Sequence, residues 1–577
     1  MQRTYCGLVS RDYEGQQVLV KGWIKKNRKL GKLIFLDVSD RSGLVQIVVD
    51  ESNQYYEQIK SLPRESVVEI KGLVLKRKNP NFDLVNGDIE IQLETIQVDS
   101  ISKTPPLIIE NNTDALEDLR MKYRYLDLRR PIIQRNLIFR SKVANYVRNF
   151  LVENGFIEVE TPVLGKPTPE GARDYLVPSR VNKGNFYALP QSPQIYKQLL
   201  MVAGLDRYFQ ITKCFRDEDL RSDRQPEFTQ VDMELSFTNE LEIQTLIENL
   251  MKDIFKKSLG VELEIPFMRM DYEVAMEKYG SDKPDLRFGM ELLDVTDYFG
   301  SSNFNVFKNA KQNNQIIKAI LVDAILTKKE VANFEKFAKD LGAKGLAWVS
   351  YKEGQLEGSI AKVIEPEIIQ KIFADNKKES GTLLFVADSR KVVNASLGMV
   401  RNVVADHLGL KDPNKFSFLW VVNWPLFEYD EEENRYVAAH HPFTQPQDFC
   451  HKDFDTNQKD ARAKAYDIVL NGFEVGGGSI RITNPEMQDR MFKSIGLDEN
   501  QVQNKFGYLI DAFSYGVPPH GGIALGFDRL IAIMLDLNNI KECIAFPKNT
   551  SAVDPLMKAP SEIDESALDE LGIQLKK

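Results

Sequence analysis

The chain has 577 residues, 43% hydrophobic and 28% charged, with a net charge of −9. That length exceeds one hydrophobic core and calls for three or four domains of soluble composition. No apolar run reaches the roughly 18 residues of a membrane helix, and the N-terminus carries no apolar signal core. Four scattered cysteines (Cys6, Cys214, Cys450 and Cys543) form no C-x-x-C pair. They argue against a disulfide framework and a cysteine zinc site, and point to a reducing cytoplasm.

Residues 16–98 read as five β-strands. QQVLVKGWIKK, KLIFLDVS, GLVQIVVD, SVVEIKGLVLK and DIEIQLETIQV show period-2 stretches rich in Val and Ile. A helical segment near 53–62 falls between the third and fourth. This order matches an OB-fold, a barrel whose face and loops take single-stranded nucleic acid. Overall acidity opposes phosphate contact, yet the first hundred residues hold 15 Lys/Arg against 14 Asp/Glu. Within them Lys21, Lys25, Lys26, Arg28, Lys29 and Lys32 cluster, as do Lys76, Arg77 and Lys78, and local patches set such contact. Phe35 and Gln46 fall on the second and third strands, where an aromatic platform and a base-reading amide belong.

Residues 99–112 contain Pro105-Pro106 and little periodicity, a linker that continues into a charged segment ending at Pro131. From 132 to 154 the residues Ile133, Leu137, Val143, Val147 and Leu151 recur at helical spacing, and Asn154-Gly155 supplies a left-handed stop. Pro162 and its apolar neighbours suit a buried strand edge. Residues 166–174, rich in Pro, Gly and charge, are predicted to form a mobile loop. Residues 282–416 alternate helical stretches (329–341) with strand-like ones (382–387), a separate α/β domain without a cluster of catalytic residue types. The tail, 561–577, is predicted to be a peripheral helix.

The densest run of chemistry-bearing residues is 215–234, FRDEDLRSDRQPEFTQVDME. Pro226 breaks it and no 3.6-residue stripe accompanies its charges. A strand, a charged loop and a second strand, aimed at a ligand of both charge signs, therefore compete evenly with a plain solvated loop. Its sequence neighbours decide the matter. Gly155-Phe156-x-x-Val159-x-x-Pro162, the Phe215-Arg216-x-Glu218 run and 521–529 (GGIALGFDR) resemble motifs 1, 2 and 3 of the class II aminoacyl-tRNA synthetases, in family order. QSPQIYKQLL (191–200) and GFEVGGGSIR (472–481) narrow the resemblance to the bacterial-type aspartyl branch, over nearly the whole chain. It implies an α+β multidomain protein. An N-terminal OB-fold β-barrel for the anticodon (1–104) and a linker or hinge (105–131) precede the class II antiparallel-sheet catalytic domain. That domain falls in two parts (132–281 and 417–560) around an inserted α/β domain (282–416), and a C-terminal tail (561–577) follows.

The implied reaction joins L-aspartate to ATP, expels pyrophosphate, and transfers aspartate from the adenylate to the 3′ end of tRNA-Asp. Both first reactants are anionic, so the site must cancel charge and fix an in-line approach. Arg216 matches the family arginine on the α-phosphate and Arg529 the one on the γ-phosphate. The planar, permanently charged fork suits both places. Glu218 would accept from the adenine amino group and Phe228 would stack on the ring. Asp217, Gln225, Glu474, Gly526, Phe527 and Asp528 complete the implied ATP contacts. Asp467 and Glu474 would hold Mg²⁺, which needs few protein carboxylates. Gly476, Gly477 and Gly478 would let substrate approach the backbone.

For aspartate, Lys197 and Arg481 match the residues that take the side-chain carboxylate, and Asp232 would hold both cations. Gln194 and Glu170 would receive the α-ammonium, Arg216 would also contact the amino acid, and the 166–174 loop would close over it. His440 matches a residue near the substrate carboxylate, where it could make binding pH-sensitive. Asparagine would turn donors toward donors, which can discriminate by roughly 10⁴. Arg28, Phe35 and Gln46 match anticodon-loop positions, and the 132–162 helix–strand unit implies a homodimer. A membrane is not implied.

Three rivals remain. A sister enzyme for asparagine or lysine is opposed by the insertion and by Lys197/Arg481. A dead paralogue that only binds RNA would have lost Arg216, Glu218, Glu474 or Arg529. An ammonia-using ligase has no use for the barrel. A form charging tRNA-Asn as well as tRNA-Asp is disfavoured by Leu30, which stands where relaxed relatives tend to have histidine; the 79–83 loop leaves this open.

Overall fold

The computed structural model describes residues 2–167, 171–299 and 304–576. It divides into two compact units, Met1–Phe139 with Lys541–Ser561, and Arg140–Ile540 with Glu562–Lys577. Glu170 lies outside the described residues.

In the first unit, strands Gln17–Leu30, Leu33–Asp40, Gly43–Asp50, Val67–Lys76 and Ile89–Ser100 close into a barrel, the fifth strand sitting between the third and fourth. The sequence alternation becomes an inside and an outside: Val18, Val20, Ile34, Leu36, Ile47, Ile70 and Ile91 fill the barrel. Helix Tyr56–Lys60 follows the third strand.

The stretch read as linker is more ordered than that reading. It holds two short helices, Glu117–Lys122 and Arg124–Asp127. Neither needs an apolar stripe, because a fully buried carboxylate organises them. Asp127 accepts from Arg120 (2.9 Å), Arg124 (2.6 Å) and Arg130 (2.8 Å). Arg124 also donates to the backbone oxygens of Lys541, Ile544 and Ala545. Burial pushes the Asp127 carboxyl up, but the arginines outweigh it and hold it below the usual carboxylate range.

The second unit is built on an eight-stranded sheet. Its order is Met268–Asp271, Phe418–Val422, Ala465–Leu470, Phe473–Ile480, His520–Gly526, Glu227–Ser236, Arg207–Phe215 and Ile157–Glu158. Only the two edge pairings are parallel. Helix Pro131–Glu153 leads toward the last edge and stops at Gly155, whose φ of +80° only glycine adopts freely. The buried strand edge expected around Pro162 is not found: the strand stops at Glu158, and Ile157 on it and Val163 and Leu164 beyond it are 48%, 45% and 51% exposed.

At the centre, Glu234 pairs with Gly522 in register. A Cβ at Gly522 would fall 1.9 Å from Glu234 Oε2, so the glycine is what lets that carboxylate lie flat against the sheet. A second, antiparallel sheet contains Leu292–Asp294, Ile316–Val322, Gly381–Asp388, Ala347–Lys352 and Gln355–Gly358 in spatial order. Helices Lys328–Asp340 and Arg390–His407 contribute to one apolar cluster on it, and Asn305–Gln312 and Pro366–Asp375 to another. The tail forms helix Glu565–Leu571. Among the described residues no helix is long and apolar enough to cross a membrane.

Candidate active site

A cleft of about 500 Å³ is lined from the main sheet and from helix Gln194–Val202. Lys197 points from that helix onto the sheet. Its Nζ lies 2.8 Å from Asp232 Oδ1 and 3.4 Å from Glu234 Oε2. Arg481, just past strand Phe473–Ile480, grips Glu234 with two donors, Nε to Oε1 at 2.8 Å and Nη2 to Oε2 at 3.0 Å. The two cations therefore meet at one carboxylate. All four side chains are buried, and unpaired charges there would cost several kcal/mol each, about the worth of a broken buried pair.

The geometry divides the holding role that the sequence reading gave to Asp232. Asp232 serves Lys197, and Glu234 serves Arg481 and reaches Lys197. Glu234 was not singled out, although the period of 2 along Glu227–Ser236 puts it on the same face as Asp232. Burial pushes both carboxyls up; at Glu234 the Arg481 and Lys197 charges reverse the shift, and at Asp232 burial wins.

Two histidines complete this part. His441 Nε2 lies 2.6 Å from Arg481 Nη1, and burial followed by the Arg481 charge holds His441 well below the ordinary value. It is a neutral acceptor. His440 packs edge-on against Trp424, with ring centres 5.7 Å apart, and its buried Nε2 has no hydrogen-bond partner among the described residues. Burial pushes it down to about 4. Both line the cleft, but it is His441, not His440, that touches the cation, and neither is charged at pH 7.

The residues matched to ATP already hold partners. The Arg216 guanidinium lies 5.1 Å from the centre of the Phe228 ring. Glu218 pairs with Arg224 at 2.8 Å. Arg529 pairs with Asp223 at 3.0 Å, donates to the Glu474 carbonyl, and keeps a buried Nε that has no partner among the described residues. Gln225 and Gly526 line the cleft; Asp217 and Phe527 do not. Asp528 lines it too, and its carboxylate accepts from Arg140 (2.5 Å) and from the Thr229 N–H (2.6 Å).

Asp467 and Glu474 lie on adjacent strands. A Cβ at Gly477 would sit 2.7 Å from Asp467 Oδ1, so the glycine leaves room for this carboxylate. Burial pushes the Asp467 carboxyl well above its usual range, and the charges of Glu474 and then Asp282 add to the shift. Asp282 also lines the cleft and was not singled out from the sequence. The Lys283 charge opposes the Asp467 shift without cancelling it; carboxylates so crowded suit a divalent cation, and two of them suit Mg²⁺, which keeps waters and phosphate oxygens for its other positions. Among the described residues no three His, Cys, Asp or Glu are grouped to hold a metal alone.

On the barrel, Arg28 is in register with Phe35 and pairs with Asp37 at 3.0 Å. Asp37 is in register with Gln46, whose amide donates to Glu90 at 3.0 Å. Arg28, Asp37, Gln46 and Glu90 thus form one polar patch beside the half-buried Phe35.

A closed five-strand barrel and an antiparallel sheet carrying three ordered motifs around a cleft of paired charges define a class. The chain belongs to the class II tRNA synthetases: residues 116–550 match the family described as tRNA synthetases class II (D, K and N), and residues 18–99 match the OB-fold nucleic acid binding domain. Within that class, the chain is 54% identical over 575 residues, 99% of each chain, to an aspartate–tRNA ligase of Malacoplasma penetrans. It is 51% identical to an aspartate–tRNA(Asp/Asn) ligase of Caldanaerobacter subterraneus subsp. tengcongensis, covering 100% of this chain and 98% of the relative. It shares its fold with the asparaginyl-tRNA synthetase of Pyrococcus horikoshii complexed with asparaginyl-adenylate, at a TM-score of 0.60 and 19% identity over 95% of this chain and 98% of that one.

Proposed function

We propose that the chain is an aspartate–tRNA ligase that activates L-aspartate with ATP and passes it to the 3′ end of tRNA-Asp. The observation that carries this reading is the convergence of Lys197 and Arg481 on Glu234, in a cleft that also contains Arg216 and Arg529. The aspartate side-chain carboxylate accepts from donors of Lys197 and Arg481, while Gln194 and Glu170 receive the α-ammonium. Asparagine would bring an amide donor to the same cations and leave buried groups mispaired. Arg216 and Arg529 neutralise the phosphates as an aspartate α-carboxylate oxygen attacks the α-phosphorus and pyrophosphate leaves. Glu218 and Phe228 hold the adenine. Asp467 and Glu474 hold Mg²⁺, which when bound supplies further positive charge to the phosphates. Neutral His441 keeps Arg481 turned toward the substrate.

Transfer follows when a terminal ribose hydroxyl of the tRNA attacks the adenylate carbonyl and AMP departs. The barrel patch of Arg28, Phe35 and Gln46 reads the anticodon loop, with Glu90 orienting Gln46. Residues 282–416 act as an inserted domain. The exposed apolar edge at Ile157, Val163 and Leu164 supports a homodimer, and the four buried free cysteines suit the cytoplasm.

Aminoacylation of purified tRNA-Asp and tRNA-Asn, with aspartate, asparagine and lysine offered separately, tests the assignment. Aspartate on tRNA-Asp is the expected product. Attachment of only asparagine or lysine overturns it, and efficient charging of both tRNAs with aspartate overturns strict specificity alone.

A further inference from the structure

Arg140 lies on helix Pro131–Glu153, in no motif and not among the residues lining the cleft. Its guanidinium nevertheless reaches the middle of the nucleotide machinery. Nη1 donates to Asp528 Oδ1 at 2.5 Å, and Cζ stands 4.9 Å over the Phe527 ring. The other Asp528 oxygen accepts the Thr229 N–H at 2.6 Å. Thr229 follows Phe228 on one central strand, and Arg529 follows Asp528 at the start of helix Phe527–Met534. One buried carboxylate thus ties the two ATP-binding segments together, and Arg140 supplies a countercharge for it.

We infer that Arg140 is a positioning residue for ATP. It cancels the Asp528 charge beside Arg529 and fixes Phe228 and Arg529 at one separation. The electrostatic half follows from the chemistry of the substrate. A triphosphate arriving at Arg529 meets Asp528 one residue away, and a buried carboxylate stripped of its guanidinium would repel it across a few ångströms of low-dielectric interior. The mechanical half follows from the two-sided use of Asp528. Without Arg140 the carboxylate is no longer held from the side opposite Thr229, and the strand–helix junction loosens. Neither effect reaches the Lys197–Glu234–Arg481 group, which has its own partners.

The inference rests on the reading of Arg529 as a phosphate ligand, and ATP–pyrophosphate exchange separates the two. In Arg140→Met the ATP KM is expected to rise about tenfold or more, with the aspartate KM changed less than about twofold. Adding Asp528→Asn removes the stranded charge, and the double variant is expected to return to within about threefold of the wild-type ATP KM, a non-additivity that a mere strut would not give. Arg140→Lys keeps the charge without the fork and is expected to fall between. An active wild type whose Arg140→Met form keeps its ATP KM, loses both substrates equally, or is not rescued by Asp528→Asn overturns the inference alone. A wild type that exchanges with no amino acid overturns the reading of the cleft and the inference with it. If Arg140→Met does not fold, Arg140→Lys decides: an unchanged ATP KM overturns the proposal, and an intermediate rise supports it.

Discussion

Glu234 serves two cations with one carboxylate, so replacing it separates charge from shape. Glu234→Gln keeps the volume but leaves Lys197 and Arg481 with only Asp232 as an anion. Its aspartate-dependent exchange is expected to lose at least about 100-fold in kcat/KM, and its unfolding free energy about 3–5 kcal/mol. Unchanged kinetics would remove Glu234 from the site. A second residue-level expectation concerns acid. Burial lowers His440 from an ordinary 6.5 to about 4, so between those values the unfolded chain takes up the proton and the folded one does not. Stability therefore falls as pH drops through that window, by up to about 1.4 kcal/mol per pH unit for one proton. His440→Gln is expected to flatten the thermal midpoint between pH 6.5 and 4; a curve as steep as the wild type would contradict it.

Elements were legible where packing is apolar and periodic. The five barrel strands and the helix ending at Gly155 follow from spacing alone, since their Val, Ile and Leu side chains fill cores. Helices Glu117–Lys122 and Arg124–Asp127 were not legible, because what holds them is one buried Asp127 among three arginines, a pattern that reads as solvated charge. The cleft shows the same divide. Motif arginines could be found by resemblance, whereas Glu234, His441 and Asp282 matter through contacts that register and chain reversal create. At this scale Gly477 carries an expectation of its own. Gly477→Ala would crowd Asp467 Oδ1 and is expected to raise several-fold the Mg²⁺ concentration needed for half-maximal exchange, at little change in aspartate KM. An unaltered Mg²⁺ titration would show that this carboxylate does not hold the ion.

For the whole molecule, the exposed sheet edge is what a single copy leaves unfinished. Light scattering is expected to give twice the chain mass of 66.0 kDa, and Leu164→Asp, which puts a charge on that edge, is expected to shift the population toward single chains. A monomeric wild type would sink the homodimer. The alternation of helical and strand-like stretches after residue 282 fits the second sheet found there, but nothing in it signalled that Asp282 lines the cleft. The pairing of Arg529 with Asp223 has a last consequence for the intact enzyme. A nucleotide phosphate that takes Arg529 trades one anion for another, so few counterions are released on uptake. ATP affinity should therefore decline only gently with added salt, while tRNA, spread over surface lysines such as Lys26, should let go steeply.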